Sequence, residues 1–247
     1  IIAIGYDEGY SIDYYGEHLK GLYLQNNTIF DALDYVMNNY PKINEELASF
    51  EQDLTERAEK FGEEYLNVIK AAYRQSVAAH KLVKNWKGEI LWLSKECGSG
   101  GFVATADVSY PSTPLYLLYA PELVKGMLRP IFEFAKKDVW TYDFAPHDAG
   151  IYPVCGGQLY GIKETDDKYY NRRYVNGGYN KVNTQFPLYL LPKGDYYDFS
   201  RQMPVEECAN MIIMTGAAYK FDGDLSLFEE NKEVLKTWAN YLEKFGL

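Results

Sequence analysis

The fold class this sequence predicts is all-α, built of stacked helical hairpins, and three observations predict it. Apolar side chains recur at three- and four-residue steps along two long stretches, Ile29 to Leu54 and Tyr65 to Val83. A third stretch, Pro204 to Tyr219, is apolar on every side, as a helix enclosed by other helices would be. Alternating runs that a sheet would need are short and few. With 247 residues, 47% of them hydrophobic, the chain is large enough for one substantial core.

In chain order, Ile1 to Ile4 reads as a short β-type run, and Tyr6 to Leu24 as a connection without clear periodicity. Residues 1–24 are expected to lead in from an upstream region, and residues 25–247 to form a partial helical domain. Ile1 stands where an initiator Met would, so the chain is expected to begin mid-protein. Thr28 with Asp31 has the form of a helix start, and Pro41 is the expected kink. A second helix should carry Tyr65, Ile69, Tyr73, Ser76, His80 and Val83 on one face, with His80 a hydrogen-bonded core residue. Glu89 to Leu93 reads as a strand, followed by a Gly-rich loop at Ser94 to Gly101. Pro114 and Pro121 are expected to begin helices, and Pro130 to bend the second of these. Trp140 to Pro153 is irregular and polar, the kind of loop on which a scaffold carries its chemistry. Residues 163–200 form a polar, Tyr-rich insertion with a hairpin that could cover a cleft. Ser226 with Glu229 matches a capping box for the last helix, and Gly246 a C-cap.

A net charge of -10 argues against nucleic acid or an anionic membrane as partner, since both need a basic face. No apolar run approaches the length of a membrane span. Cys97, Cys155 and Cys208 have neither disulfide nor zinc spacing and read as small buried residues.

Glu206 and Glu207 fall in the first turn of the apolar helix, near the positive end of its dipole. Two roles are open for them: ordinary helix capping, or an acid, base or substrate clamp. Asp143 and Asp148 are the acids that could join them from the 140–153 loop. Amide hydrolysis without a metal needs an activated nucleophile or a carboxylate-oriented water, together with donors for the oxyanion. No nucleophile motif is present; Ser94, Ser99, Thr105 and Ser112 are only loop hydroxyls. Free glutamine would also need a cation for its α-carboxylate, Lys95 or Arg129, and an acid for its ammonium, Glu96 or Asp107. Sugar hydrolysis would instead need two carboxylates about 5–10 Å apart, with aromatic rings against the sugar. Tyr110, Trp140, Phe144 and Tyr152 are the rings at hand. His147-Asp148 offers metal-ligand types, but adjacent His-Asp alone has no ligand spacing, and no metal or cofactor is expected.

At Tyr110-Pro111-Ser112-Thr113-Pro114-Leu115-Tyr116, Pro121-Glu122-Leu123-Val124-Lys125-Gly126-Met127-Leu128, Phe144-Ala145-Pro146-His147-Asp148 and Met203-Pro204-Val205-Glu206-Glu207-Cys208, the sequence resembles the glutaminase A family. The resemblance implies an (α/α)6 toroid of six helical hairpins preceded by a β-rich region, in a secreted or periplasmic protein. This chain would hold about half of the toroid, with minor β structure and the long inserted loop. The remaining half would come from further sequence, another chain or a dimer mate. The family name implies hydrolysis of glutamine to glutamate and ammonia. Its fold relatives are largely glycoside hydrolases, so a six-hairpin glycosidase using paired carboxylates stays open, as does a non-catalytic sugar-binding or scaffold module. The resemblance assigns no residue roles. From the residues, the expected site is Glu206, Glu207, Asp143 and Asp148 for catalysis, with Lys95, Glu96, Asp107, His147 and Trp140 positioning a small-molecule substrate.

Overall fold

A computed structural model describes residues 2–96, 100–163 and 187–246, together with the backbone pairing of Tyr174–Val175 and Gly178–Tyr179. Among the described residues the chain is mostly helical, with six α-helices and little sheet. Ser99, Cys97 and most of the 163–200 insertion lie outside the described residues.

Helix α1 (Ile29–Ala58) starts as expected: the Thr28 hydroxyl accepts the Asp31 N–H, and the Asp31 carboxylate accepts the Thr28 N–H. Pro41 lies inside it without ending it. Helix α2 (Glu63–Ala78) is shorter than its periodicity implied. His80 and Val83, expected on its face, belong to strand β3 (His80–Lys84), which pairs antiparallel with β4 (Ile90–Ser94) from His80 opposite Ser94 to Lys84 opposite Ile90. Pairing buries Val83 and Leu91 completely, a tertiary gain that a helix reaching Val83 would forgo.

The lead-in segment also differs from expectation. Residues 2–10 form no strand. Instead β1 (Ile12–Tyr14) pairs antiparallel with β2 (Glu17–Leu19) and parallel with β5 (Val154–Cys155). Ile12 and Tyr14 are buried in the same core as the helices, each contributing about 1.5–3 kcal/mol of burial. Part of the 1–24 lead-in thus packs on the same core as the helices.

Helix α3 (Ala106–Tyr119) begins eight residues before Pro114, with Pro111 and Pro114 inside it. The Ser112 and Thr113 hydroxyls both donate to the Ser109 carbonyl. Asp107 thereby stands in a helical first turn rather than in a loop. Helix α4 (Pro121–Ala135) starts at its proline as expected. It lies so close to β4 that a Cβ on Gly126 would meet the Trp92 backbone nitrogen at 2.8 Å, so only glycine fits. Helix α5 (Pro204–Asp222) packs on α3, α4 and α6 (Ser226–Phe245), with Phe132 stacked on Trp238 across the α4–α6 contact. Enclosure of α5 is incomplete: Ile213, Tyr219 and Phe221 remain exposed.

Gly223 ends α5 in the left-handed conformation. The capping of α6 is not the expected Ser226–Glu229 box. Asp224 caps instead, accepting from the Ser226 N–H and hydroxyl while also receiving the buried Lys125 ammonium. Strands β6 (Tyr174–Val175) and β7 (Gly178–Tyr179) pair antiparallel, as a hairpin in the insertion requires. The insertion closes at its base through Ile162 opposite Tyr197. No described helix is long and apolar enough to cross a membrane.

Candidate functional site

Three segments are stitched together beside the start of α5. Residues 101–106 run alongside 147–152, joined by the Val103 N–H to Gly150 O, Ala149 N–H to Val103 O and Ala106 N–H to His147 O bonds, each 2.9 Å. The Ala145 N–H donates to Cys208 Sγ at 3.3 Å, fixing the same loop to α5. The consequence is that Asp107, His147 and Glu207, far apart in sequence, each place a ligand-capable atom within 4.8 Å of the others.

His147 is held from all sides. Its N–H donates to Gln158 Oε1 at 2.6 Å, Tyr160 stacks on its ring at 4.3 Å and Phe102 meets it edge-on. Its Nδ1 lies 3.0 Å from Asp148 Oδ2. Asp148 is fully buried and accepts three backbone N–H groups besides, from Gly150 and Leu159 on Oδ1 and from Tyr160 on Oδ2. With that carboxylate acting only as an acceptor, Nδ1 carries the proton and Nε2 is the ring atom left for the cluster. Burial pulls the His147 pKa down, but the Asp148 hydrogen bond and charge, with the charges of Asp107 and Glu96, hold it above its ordinary value.

Glu207 is 1% exposed, and among the described residues neither carboxyl oxygen has a partner at good hydrogen-bond geometry, the Asn210 amide being the one side chain close enough to act on it as a donor. Burial, followed by the like charges of Asp107, Glu206 and Asp148, pushes its carboxyl up to about 9, with only Asn210 acting in the opposite direction. Asp107 is half-buried, with Oδ1 also unpartnered. The Thr105 and Ser109 hydroxyls and the Asn210 amide nitrogen are further unpartnered buried groups at the starts of α3 and α5.

The four expected catalytic acids therefore separate. Glu207 is in the cluster, and Asp148 supports it from behind His147 with every oxygen already engaged. Glu206 is exposed and Asp143 lies on the outer side of its loop. Trp140, expected to face substrate, is a core residue: it is 6% exposed, donates Nε1–H to the Phe144 carbonyl and is packed by Phe134, Tyr142, Phe144 and Tyr197. Phe144 is likewise buried. Glu96 accepts the Gly100 N–H, and Lys95 sits 5.0 Å over the Tyr152 ring. Arg129 is committed to Glu122 at 2.7 Å and the Ile90 carbonyl at 2.5 Å. Cys208 and Cys155 are buried thiols whose pKa values burial raises, to about 12 for Cys208. Gln158 and Tyr160 were not singled out from the sequence; their only signal was proximity to a polar loop.

A family model described as the glutaminase A six helical-hairpin domain matches residues 62–247. Glutaminase A of Aspergillus oryzae is 28% identical over 222 residues, 87% of this chain and 26% of that protein. An Arthroderma benhamiae protein named "Probable glutaminase" is 27% identical over 153 residues, 62% of this chain and 13% of that protein. The chain thus spans about a quarter or less of the curated relatives it matches.

Proposed function

Because the chain belongs to the glutaminase A six helical-hairpin domain family, we propose that it carries a hydrolytic site for a small carboxamide, the side-chain amide of L-glutamine. The observation that carries this reading is the convergence of Asp107, His147 and Glu207, with both oxygens of a buried Glu207 lacking a partner. Such groups are held ready for something that enters. A water among the three attacks the amide carbon. Its oxygen joins the carbonyl, the C–N bond breaks, and its protons leave with the nitrogen, giving carboxylate and ammonium. Glu96, whose charge acts on His147, takes the α-ammonium of the substrate, and Lys95, next to it in the chain, takes the α-carboxylate.

Burial of two of the aromatic rings weighs against a sugar. Trp140 and Phe144 have no free face to offer a ring. The exposed apolar residues Ile213, Tyr219 and Phe221 on α5 are where further hairpins would complete a toroid.

The test is ammonia release from L-glutamine by the full-length protein, run beside aryl glycosides and oligosaccharides. Asp107→Asn is expected to lower ammonia release by about 100-fold or more. Turnover of a glycoside with none of glutamine would overturn the reading.

A further inference from the structure

We propose that Asp107, His147 and Glu207 form a binding site for a single divalent first-row transition ion of the zinc or manganese kind. The inference deepens the hydrolase reading of the same site and rests on it for its catalytic meaning, although ion binding is measured independently of it.

The first support is geometric. One donor atom from each of the three residues lies within 4.8 Å of the other two. An ion about 2.1 Å from each donor needs donor separations no larger than about 4.2 Å. In a tetrahedral site the donors stand about 3.4 Å apart, so the three side chains must turn inward by about an ångström to close the set.

The second support is the state of the oxygens. Glu207 is 1% exposed with Oε1 and Oε2 both unpartnered, and Asp107 Oδ1 is unpartnered too. Buried carboxylate oxygens are ordinarily satisfied by donors or cations, because leaving them bare is costly. The charges that raise the Glu207 carboxyl are those of Asp107, Glu206 and Asp148, all of its own sign, and the Asn210 side chain opposes them only through a hydrogen bond. A cation held between the carboxylates would offset that repulsion.

The third support is the shell behind the histidine. Metal-ligating histidines commonly give their second ring N–H to a carboxylate, which fixes the tautomer and ring direction. His147 does this toward Asp148, which three backbone N–H groups hold in place. The stacked Tyr160 ring sets the plane of the imidazole. This is more support than a histidine serving only as packing needs.

The donor set selects the ion class. One imidazole nitrogen and two carboxylates suit zinc or manganese, whereas calcium prefers six to eight oxygens. Three protein ligands leave a coordination position open, the pattern of catalytic rather than structural sites. An ion there would polarise a bound water or the amide carbonyl.

The experiment uses full-length protein stripped with a chelator and dialysed, then titrated calorimetrically with zinc chloride, manganese chloride and, as control, calcium chloride. Binding of one equivalent of zinc or manganese at micromolar or lower concentration, with a rise in melting temperature, is the expected result. Glu207→Gln and Asp107→Asn should each weaken it by at least about 10-fold, and Asp148→Asn by about 10- to 100-fold. Asp34→Asn, on the exposed face of α1, should change nothing. Since His147→Ala could disturb the loop, cobalt(II) absorption provides a second measurement: ligand-field bands present in wild type should be lost in Glu207→Gln of unchanged circular dichroism. Failure of the wild type to bind zinc or manganese, or binding unchanged in both Glu207→Gln and Asp107→Asn, overturns the proposal. Ion binding without ammonia release would sink the amide reading and leave the site standing. Undiminished ammonia release from protein that binds no ion would do the reverse.

Discussion

Asp148→Asn isolates what the buried carboxylate does for His147. In the wild type its Oδ1 accepts from Gly150 and Leu159, and its Oδ2 from Tyr160 and His147 Nδ1, at 3.0–3.1 Å. An asparagine placed with its amide nitrogen on either side sets that nitrogen against two donors. Each orphaned buried donor costs about 1–3 kcal/mol, so a rigid site would lose about 2–6 kcal/mol. His147 can relieve half of this by moving its proton to Nε2, so that Nδ1 accepts from the new amide. Only the Tyr160 N–H is then orphaned, and the expected loss is about 1–3 kcal/mol, or about 2–12 °C in melting temperature for a chain of this size. The relief has a functional consequence. Nε2 becomes a donor pointed at Asp107 and Glu207, unable to ligate an ion or take a proton. Ammonia release should therefore fall by about 100-fold or more, out of proportion to the small stability loss. Urea unfolding followed by fluorescence and circular dichroism gives the first quantity, and an ammonia-coupled assay the second. A variant with wild-type turnover, or one whose turnover loss merely tracks its unfolded fraction, would refute the tautomer argument.

Other outcomes follow from the same geometry. Glu207→Met removes two unpartnered buried oxygens and should stabilise the chelator-treated fold by about 1–3 kcal/mol in urea while abolishing ammonia release; destabilisation would mean that the oxygens are satisfied. His80, stacked on Trp92 and bonded through Nδ1 to the Ser76 carbonyl, has its pKa lowered to about 4, by burial first and by the Lys95 charge second. The unfolded chain takes up that proton near pH 6.5, so the contribution is fully present above it and is lost as pH falls toward 4, up to about 3 kcal/mol. His80→Phe should flatten that part of the stability–pH curve. Lys125→Met removes the ammonium shared by Asp222 and Asp224 at 2.5 and 2.6 Å. The Lys125 and Ser226 hydrogen bonds hold Asp224 well below the usual carboxylate range, a contribution present above the unfolded pKa and lost as pH falls through the folded one. The variant should melt lower at pH 7, and its deficit should hold steady down to about pH 4 and shrink only below it. Gly126→Ala should cost about 1–3 kcal/mol by pushing α4 off β4.

What could be read in advance followed the physics of single elements. The α1 cap, the proline start of α4 and the first turn of α5 are local arrangements, and each is present as expected. Strand β3 was hidden because His80 and Val83 also continue the helical period of α2; only the pairing with β4 decides between the two. The start of α3 was hidden by Pro111 and Pro114, which a local reading takes as boundaries although the packed helix accommodates them. Within the site, Glu207 and His147 stood out as residue types, but their distinction from Glu206 and Asp143 is one of burial. In a first turn, one residue of an adjacent pair faces inward and the other faces water. No feature of the sequence around Glu206-Glu207 says which.

That division also bears on how the site works. Asp107 and Glu207 both stand in helix first turns, where unpaired N–H groups and the dipole favour negative charge. Burial of Glu207 against like charges acts in the opposite sense and is the larger influence, since its carboxyl ends near 9. The helix ends therefore place the carboxylates without neutralising them, and Asp148, the acid best supplied with donors, is turned away toward His147. The imidazole of His147, a proton or an ion can each bring positive charge to the cluster. On the proposed reading, Asp107, half-buried where His147 and Glu207 are buried, is the member of the three placed to meet a substrate first.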